Sequence, residues 1–261
     1  MPDQEYDVKK LWSLEGRNFV VLGTGSGIGA HVVDGLHQLG ANVFCASASE
    51  KTAKKAAAIG NFPYAAADAT KKEDVERVFA QAKAQFGCVN GVVDVIGKAI
   101  NQPVVETGED EWQMLYEMNL KHQIWAISIG GKACAEAGGG SIVCISSMSG
   151  VWCYPNQGAY GTYKAGLNHL VKSASLELCR KNVRVNAVAP GFTRNERLSS
   201  LIPDEKKWES LADFLPCGYS YPSDVANVVL FLSSPLAGHV NGQIISTDGG
   251  QGLTAPVLDV F

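Results

Sequence analysis

Tyr160 and Lys164 stand four residues apart in a segment of helical pattern, a spacing that stacks their side chains on one helix face. A phenol ionises near pH ~10 and is a poor base at neutrality; a fixed ammonium beside it favours the ionised form. Lowering that pKa by about three units takes roughly 4 kcal/mol of differential stabilisation. Lys164 can supply much of it, with help from a cofactor's positive charge. Upstream, residues 142–145 read as a buried strand that ends in Ser146 and Ser147. A serine hydroxyl at that strand end can orient a carbonyl or alcohol oxygen while the phenol exchanges a proton with it. These are the parts of an alcohol–ketone proton-transfer site. The same pair also arises by chance as an amphipathic ring and a solvated charge, so the surrounding elements decide.

Residues 19–22 are a short apolar run ending in Gly23-Thr24-Gly25-Ser26-Gly27-Ile28-Gly29, after which Ile28, Val32, Leu36 and Leu39 recur at helical spacing. Strand, glycine-rich turn and helix is the context in which glycines admit a pyrophosphate to a helix N-terminus. An ordinary tight turn is the plainer alternative. The alternation then repeats. Strands are expected at 42–46, 64–67, 91–96, 142–145, 183–188 and 243–246. Helices are expected at 50–58, at 75–86, on a long stretch holding Trp112, Leu115, Tyr116 and Asn119, and from Tyr160 to about Arg180. This predicts an α/β fold: a doubly wound parallel sheet of about seven strands, covered on both faces. With 261 residues and 46% hydrophobic content, one domain spanning 1–261 suffices. Residues 192–221 are long for a connection and read as a substrate-binding loop or lid. Within it, 204–211 suits a short amphipathic helix with Trp208 and Leu211 on one side. As a lid its Trp208 faces the substrate; as a static anchor Trp208 faces the core.

The net charge of −4, without a basic cluster, argues against nucleic acid or an anionic membrane as partner. No apolar run approaches the ~18 residues of a membrane span. The acidic opening residues resemble neither a secretory signal nor a transit peptide. Seven scattered cysteines without Cys-x-x-Cys spacing fit a reduced, cytoplasmic protein, and the five histidines make no metal-ligand spacing, so no metal is expected.

Taken in order, Gly23-x-x-x-Gly27-x-Gly29, Asp68, Asn119, Ser147, Tyr160-x-x-x-Lys164, Pro190-Gly191 and Asp248-Gly249-Gly250 resemble the short-chain dehydrogenase/reductase family, in its single-domain branch with a Rossmann-type fold. The resemblance implies a catalytic tetrad of Asn119, Ser147, Tyr160 and Lys164. Tyr160 would be the general acid/base, and Lys164 would lower its pKa and bond the nicotinamide ribose. Ser147 would hold the substrate oxygen, and Asn119 would fix a water in the proton relay. Ser146 matches the family's less critical first serine. Cofactor contacts are implied at Gly23, Gly25, Ser26, Gly27, Ile28, Gly29, Ser47, Asp68, Ala69, Gly97, Tyr160, Lys164, Pro190, Gly191 and Thr193. Two departures stand out: the family's usual Asn-Asn-Ala-Gly is Asp94-Val95-Ile96-Gly97, and Asn195 replaces a threonine that often contacts the carboxamide.

The implied activity is reversible, NAD(P)-dependent transfer of a hydride between nicotinamide and a secondary alcohol or ketone. A dinucleotide-sensing binding protein, or an isomerase or dehydratase on the same scaffold, is the alternative. Ser47 stands where NAD-preferring members put an aspartate, while Ser26 and Ala48 offer no cation for a second phosphate. NAD is therefore expected over NADP. Ser147, Trp152, Tyr154, Tyr160 and Phe192 are expected at the substrate, with Leu198, Leu201, Ile202 and Trp208 available from the loop. An apolar or cyclic substrate suits them. Ala159, Tyr163, Gly166, Leu167, Leu170 and Ala174 offer more small and apolar surface than one sheet face uses. A homo-oligomer, tetramer or dimer, is expected, as the family commonly forms.

Overall fold

The strands of this chain read as near-continuous apolar runs because both of their faces are covered. A computed structural model describes residues 6–253; residues 1–5 of the acidic opening lie outside it. Seven strands form one parallel sheet in the order β3-β2-β1-β4-β5-β6-β7: β1 (Asn18–Leu22), β2 (Asn42–Ser47), β3 (Tyr64–Ala66), β4 (Gly91–Asp94), β5 (Gly140–Ile145), β6 (Val183–Pro190) and β7 (Ile244–Thr247). Successive strand residues alternate between two cores, as the pleat requires. Val20, Phe44, Val92 and Cys144 pack on one side, Val21, Cys45, Val93 and Ile145 on the other. The first side is covered by α4 (Lys72–Phe86), α6 (His122–Glu136) and α7 (Gly158–Leu178). The second is covered by α2 (Ile28–Gln38), α3 (Glu50–Ala57) and α10 (Pro222–Ser233).

The expected strands are all present, with shifted ends. β4 stops at Asp94, two residues before the expected end, while β6 runs on to Pro190. The long helix bearing Asn119 is interrupted: α5 (Glu109–Tyr116) passes through a π turn, Glu117–Lys121, into α6. A short helix absent from the expectations, α1 (Val8–Trp12), is capped by Asp7, whose carboxylate accepts from the Lys9 N–H at 2.9 Å. On α7, Ala159, Leu167 and Ala174 are buried against the chain's own core. The surface that helix offers to a second copy is therefore smaller than the sequence suggests.

The order reverses between β1 and β4, which lie side by side while their following segments leave to opposite faces. In an open parallel sheet that reversal leaves a crevice at the carboxyl ends of the strands. Gly23 follows β1, Gly97 follows β4, and Ser146 follows β5, so the residues of interest are delivered to one edge.

Gly91 shows how tightly the sheet is packed beneath them. A Cβ there would lie 2.2 Å from the ring of Phe19, itself 1% exposed. Gly91→Ala is expected to cost about 1–3 kcal/mol of stability, as overpacking does. Urea unfolding midpoints check this; an unchanged midpoint would show that Phe19 can move aside.

Candidate active site

Along the carboxyl ends of the strands runs a cleft of about 1030 Å³. Its floor on one side is the glycine turn. Gly23 and Gly27 adopt φ of +89° and +107°, which side chains rarely tolerate. At Gly29 a Cβ would stand 2.2 Å from the Gly23 carbonyl oxygen. No side chain caps α2, and Gly27, Ile28 and Gly29 line the cleft. An uncapped helix N-terminus carries unsatisfied N–H groups and partial positive charge, the properties that hold a dinucleotide's pyrophosphate. These residues fit that cofactor.

The residues expected to transfer the proton stand across the cleft. Ser147 lies two residues past the end of β5 in extended conformation, and its hydroxyl accepts from the Ser149 N–H at 3.1 Å. Its neighbour Ser146 is occupied, donating to Asn168 Oδ1 at 2.6 Å in the interior. Tyr160 and Lys164 lie one turn apart on α7, with Lys164 Nζ 5.8 Å from the Tyr160 ring centroid. Lys164 is 1% exposed and donates to the Ile145 carbonyl at 2.8 Å. Burial pulls its pKa down to about 8, against the opposing pull of the Asp94 carboxylate and then Cys144. Its charge is therefore present below about pH 8 and lost above.

Asn119 lies in the π turn and is fully buried. Its Oδ1 accepts from the Lys98 N–H at 3.1 Å, and its Nδ2 donates to the carbonyls of Lys98 (2.8 Å) and Leu115 (3.0 Å). This amide ties the segment after β4 to the helix. A Cβ on Gly97 would sit 3.3 Å from Lys164 Nζ and 3.4 Å from Asn119 Oδ1. That crowding is a local reason for glycine at 97.

Of the expected cofactor and substrate residues, Gly23, Ser26, Gly27, Ile28, Gly29, Gly97, Ser147, Tyr154, Tyr160, Lys164, Pro190, Gly191, Phe192 and Thr193 line the cleft. Gly25, Ser47, Asp68, Ala69, Asn119 and Trp152 do not. Ser47 is buried at the end of β2, with its hydroxyl 3.0 Å from that of Thr24. Asp68 accepts from the hydroxyl of Thr70 at 2.7 Å, and Ala69 is buried. Trp152 is half exposed.

The loop from 192 to 221 carries two helices, α8 (Glu196–Leu201) and α9 (Glu205–Phe214). α9 matches the expected amphipathic helix, but its Trp208 does not face the cleft. It is 1% exposed, donates from Nε1 to the Ile202 carbonyl at 2.8 Å, and packs edge-on to Tyr219 with the Arg194 guanidinium over its ring. Phe192, Thr193, Asn195, Glu196 and Leu198 are what the loop contributes to the cleft.

Sequence reasoning missed several cleft residues. Gln251 donates to the Tyr154 hydroxyl at 3.1 Å and accepts from the Phe192 N–H at 3.3 Å, pinning that wall together. Glu196 accepts from the Ser26 hydroxyl at 2.6 Å, joining loop to glycine turn. All three pairings link residues more than 50 positions apart, so no local pattern announces them.

The comparisons with known proteins agree with this geometry. The family described as Enoyl-(Acyl carrier protein) reductase matches residues 23–252. The chain belongs to the short-chain dehydrogenase/reductase family. Within it, the 3-oxoacyl-(acyl-carrier-protein) reductase of Thermotoga maritima is 30% identical over 91% of this chain and 98% of its own length. Among solved structures, a short-chain type dehydrogenase/reductase from Mycobacterium ulcerans superposes with a TM-score of 0.87 at 30% identity, covering 92% of this chain and 91% of that one. A 7α-hydroxysteroid dehydrogenase complexed with NADH and 7-oxo glycochenodeoxycholic acid superposes at 0.88 and 26% identity, covering 94% and 98%. As a member of this family, the chain is an NAD(P)-dependent oxidoreductase interconverting alcohols and ketones. No helix among the described residues is long and apolar enough to cross a membrane.

The short-chain dehydrogenase loop is thus anchored by an aromatic outside its cleft. Trp208→Ala is expected to cost about 3–5 kcal/mol of stability and to leave substrate preference unchanged. Denaturant unfolding beside relative kcat/KM values checks both; unchanged stability with altered preference would return Trp208 to the substrate side.

Proposed function

We propose that this enzyme uses NAD(H) to interconvert an apolar, cyclic secondary alcohol and its ketone, with Tyr160 as general acid/base. The observation that carries the reading is the convergence of Ser147, Tyr160 and Lys164 on the cleft that the uncapped N-terminus of α2 also faces. The substrate oxygen lies between the hydroxyls of Ser147 and Tyr160. In oxidation the Tyr160 phenolate accepts the alcohol proton; in reduction the phenol returns it to the forming alkoxide. The Lys164 ammonium favours the phenolate by its charge. Asn119 takes the part of fixing a water in the relay that the family resemblance assigns to it. A bound nicotinamide dinucleotide supplies or takes the hydride, held by the glycine turn, Gly97 and the segment from Pro190 to Thr193.

The preference for NAD(H) rests on charge. Neither Ser26 nor Ala48 carries a cation, and Ser26 already bonds the Glu196 carboxylate. An acid stands where a second phosphate needs a cation, and an uncompensated phosphate is costly to bury. The substrate class rests on Ile96, Met148, Tyr154, Pro155, Phe192 and Leu198 in the cleft. Burial and Asp248 hold the Tyr154 phenol above its ordinary pKa, so it remains a hydrogen-bonding wall residue. We read residues 1–261 as one cytoplasmic domain with 192–221 over the substrate, assembled as a homotetramer or dimer through α5–α7. Half-buried Tyr163, Gly166 and Leu170 remain available for that contact.

A panel of secondary alcohols and ketones, followed by reduced-nicotinamide absorbance with each dinucleotide, tests the proposal. Apolar cyclic substrates with NAD(H) should give the highest kcat/KM; strong preference for NADP(H) would refute the charge argument. Ala48→Arg should move preference toward NADP(H). Tyr160→Phe should lower turnover by about 10²–10⁴-fold with cofactor affinity nearly unchanged. Turnover within a few-fold of the parent would remove Tyr160 from the chemistry.

A further inference from the structure

One wall of the cleft carries side-chain amides that the reaction described above does not use. Gln157 caps the start of α7, where its carbonyl accepts from the Gly161 N–H at 2.7 Å. It stands three residues before Tyr160, which stands four before Lys164, and all three line the cleft. Spacings of three and four place them on one helix face, each about one turn, ~5 Å, from the next. Lys164 is buried, while Tyr160 and Gln157 are half-buried. The face therefore presents an ammonium, then a phenol, then an amide, in order toward the helix's start.

The amide is held from two sides. Gln157 Oε1 accepts from the Ser149 hydroxyl, and Nε2 donates to Asn101 Oδ1 at 3.0 Å. Ser149 also donates its N–H to the Ser147 hydroxyl. A chain of contacts thus runs from Ser147 through Ser149 and Gln157 to Asn101, and all four residues line the cleft. The backbone alone already joins the two segments that carry Asn101 and Gln157, since the Gln102 N–H donates to the Asn156 carbonyl at 2.7 Å. Fixing the Gln157 side chain as well gives the cleft an oriented polar group one turn from Tyr160.

Two bonds do not exhaust an amide with two N–H groups and two lone pairs. A hydroxyl both donates and accepts, so it can pair with whichever end of such an amide it meets. We propose that Gln157, braced by Ser149 and Asn101, determines specificity by binding a second hydroxyl on the substrate, about one helical turn from the oxygen held by Ser147 and Tyr160. The inference rests on the reading of the substrate as a cyclic secondary alcohol or its ketone. It adds that the ring packs its apolar faces on residues such as Met148, Phe192 and Leu198 and turns one hydroxyl-bearing edge to the amide wall. A site built to hydrogen-bond a hydroxyl rejects the analogue that lacks it more strongly than an apolar pocket rejects a misfit.

Matched ketones test this: 3- and 4-hydroxycyclohexanone against 3- and 4-methylcyclohexanone, in which a methyl stands where the hydroxyl was. Reduction is followed by absorbance with NADH and with NADPH. The better hydroxyketone should exceed its methyl partner in kcat/KM by about tenfold or more. Gln157→Leu should bring that ratio toward one, the hydroxyketone losing more than the methyl ketone and losing it mainly through KM. Asn101→Ala, at an exposed position, should lower the ratio by a smaller factor, and decides alone if Gln157→Leu does not fold. A ratio at or below one in the parent would overturn the proposal and leave the cyclic-substrate reading intact. So would equal losses on both ketones in the variants, which would make the amide wall scaffolding only. Turnover of none of the four ketones would contradict the cyclic-substrate reading itself, and the inference with it.

Discussion

Almost all of the Lys164 ammonium's stem and head is withdrawn from water, and the rest of the site is arranged around keeping that charge inside. An unpaired buried ammonium sheds its proton. Here the Ile145 carbonyl accepts from Nζ, and Gly97 leaves room for Nζ where any side chain would crowd it. The cost of burial is what makes the charge useful. In low dielectric it acts on the Tyr160 phenol more strongly than a solvated lysine on the same helix face would.

The topology concentrates these parts without a dedicated domain. Because the strand order reverses between β1 and β4, the loops after both strands open a crevice at the sheet's carboxyl edge. The glycine turn comes from the first, Gly97 and the Lys98 backbone from the second, and Ser147 from the end of β5. α7 then brings Tyr160 and Lys164 across the top. A π turn interrupts the helical layer between α5 and α6. It places Asn119 to grip Lys98 and Leu115, and sets His122 one turn later against Asp94. An interrupted helix at such a position is a frequent sign of a functional site.

Most of this architecture was legible in the chain because it is written in local patterns. Apolar runs alternating with helical stripes predicted the parallel sheet, and the glycine spacing and the Tyr160–Lys164 interval located the cleft. What remained hidden depends on contacts between distant residues. Trp208 carries the same amphipathic signal whether it faces a substrate or a core, and only its packing on Tyr219 and Arg194 separates the two. Asp94 registered as a departure, but its side chain pairs with His122, which nothing in the spacing of 94 and 122 connects. Strand ends shifted by one or two residues, since hydrogen-bond partners rather than side-chain type terminate a strand. The small and apolar face of α7 pointed outward in sequence, yet three of its six residues are spent inside.

Lys164, buried and with its pKa drawn down to about 8, is proposed as the charge on which cofactor and phenol both rely. Calorimetry of NADH binding near pH 8, in buffers of differing ionisation enthalpy, measures the protons exchanged on binding. The dinucleotide's phosphates and ribose hydroxyls favour the charged lysine, so binding should take up a fraction of a proton, and Lys164→Met should abolish that uptake. Binding of NADH to the parent enzyme without proton uptake, or uptake that survives in Lys164→Met, would contradict the account.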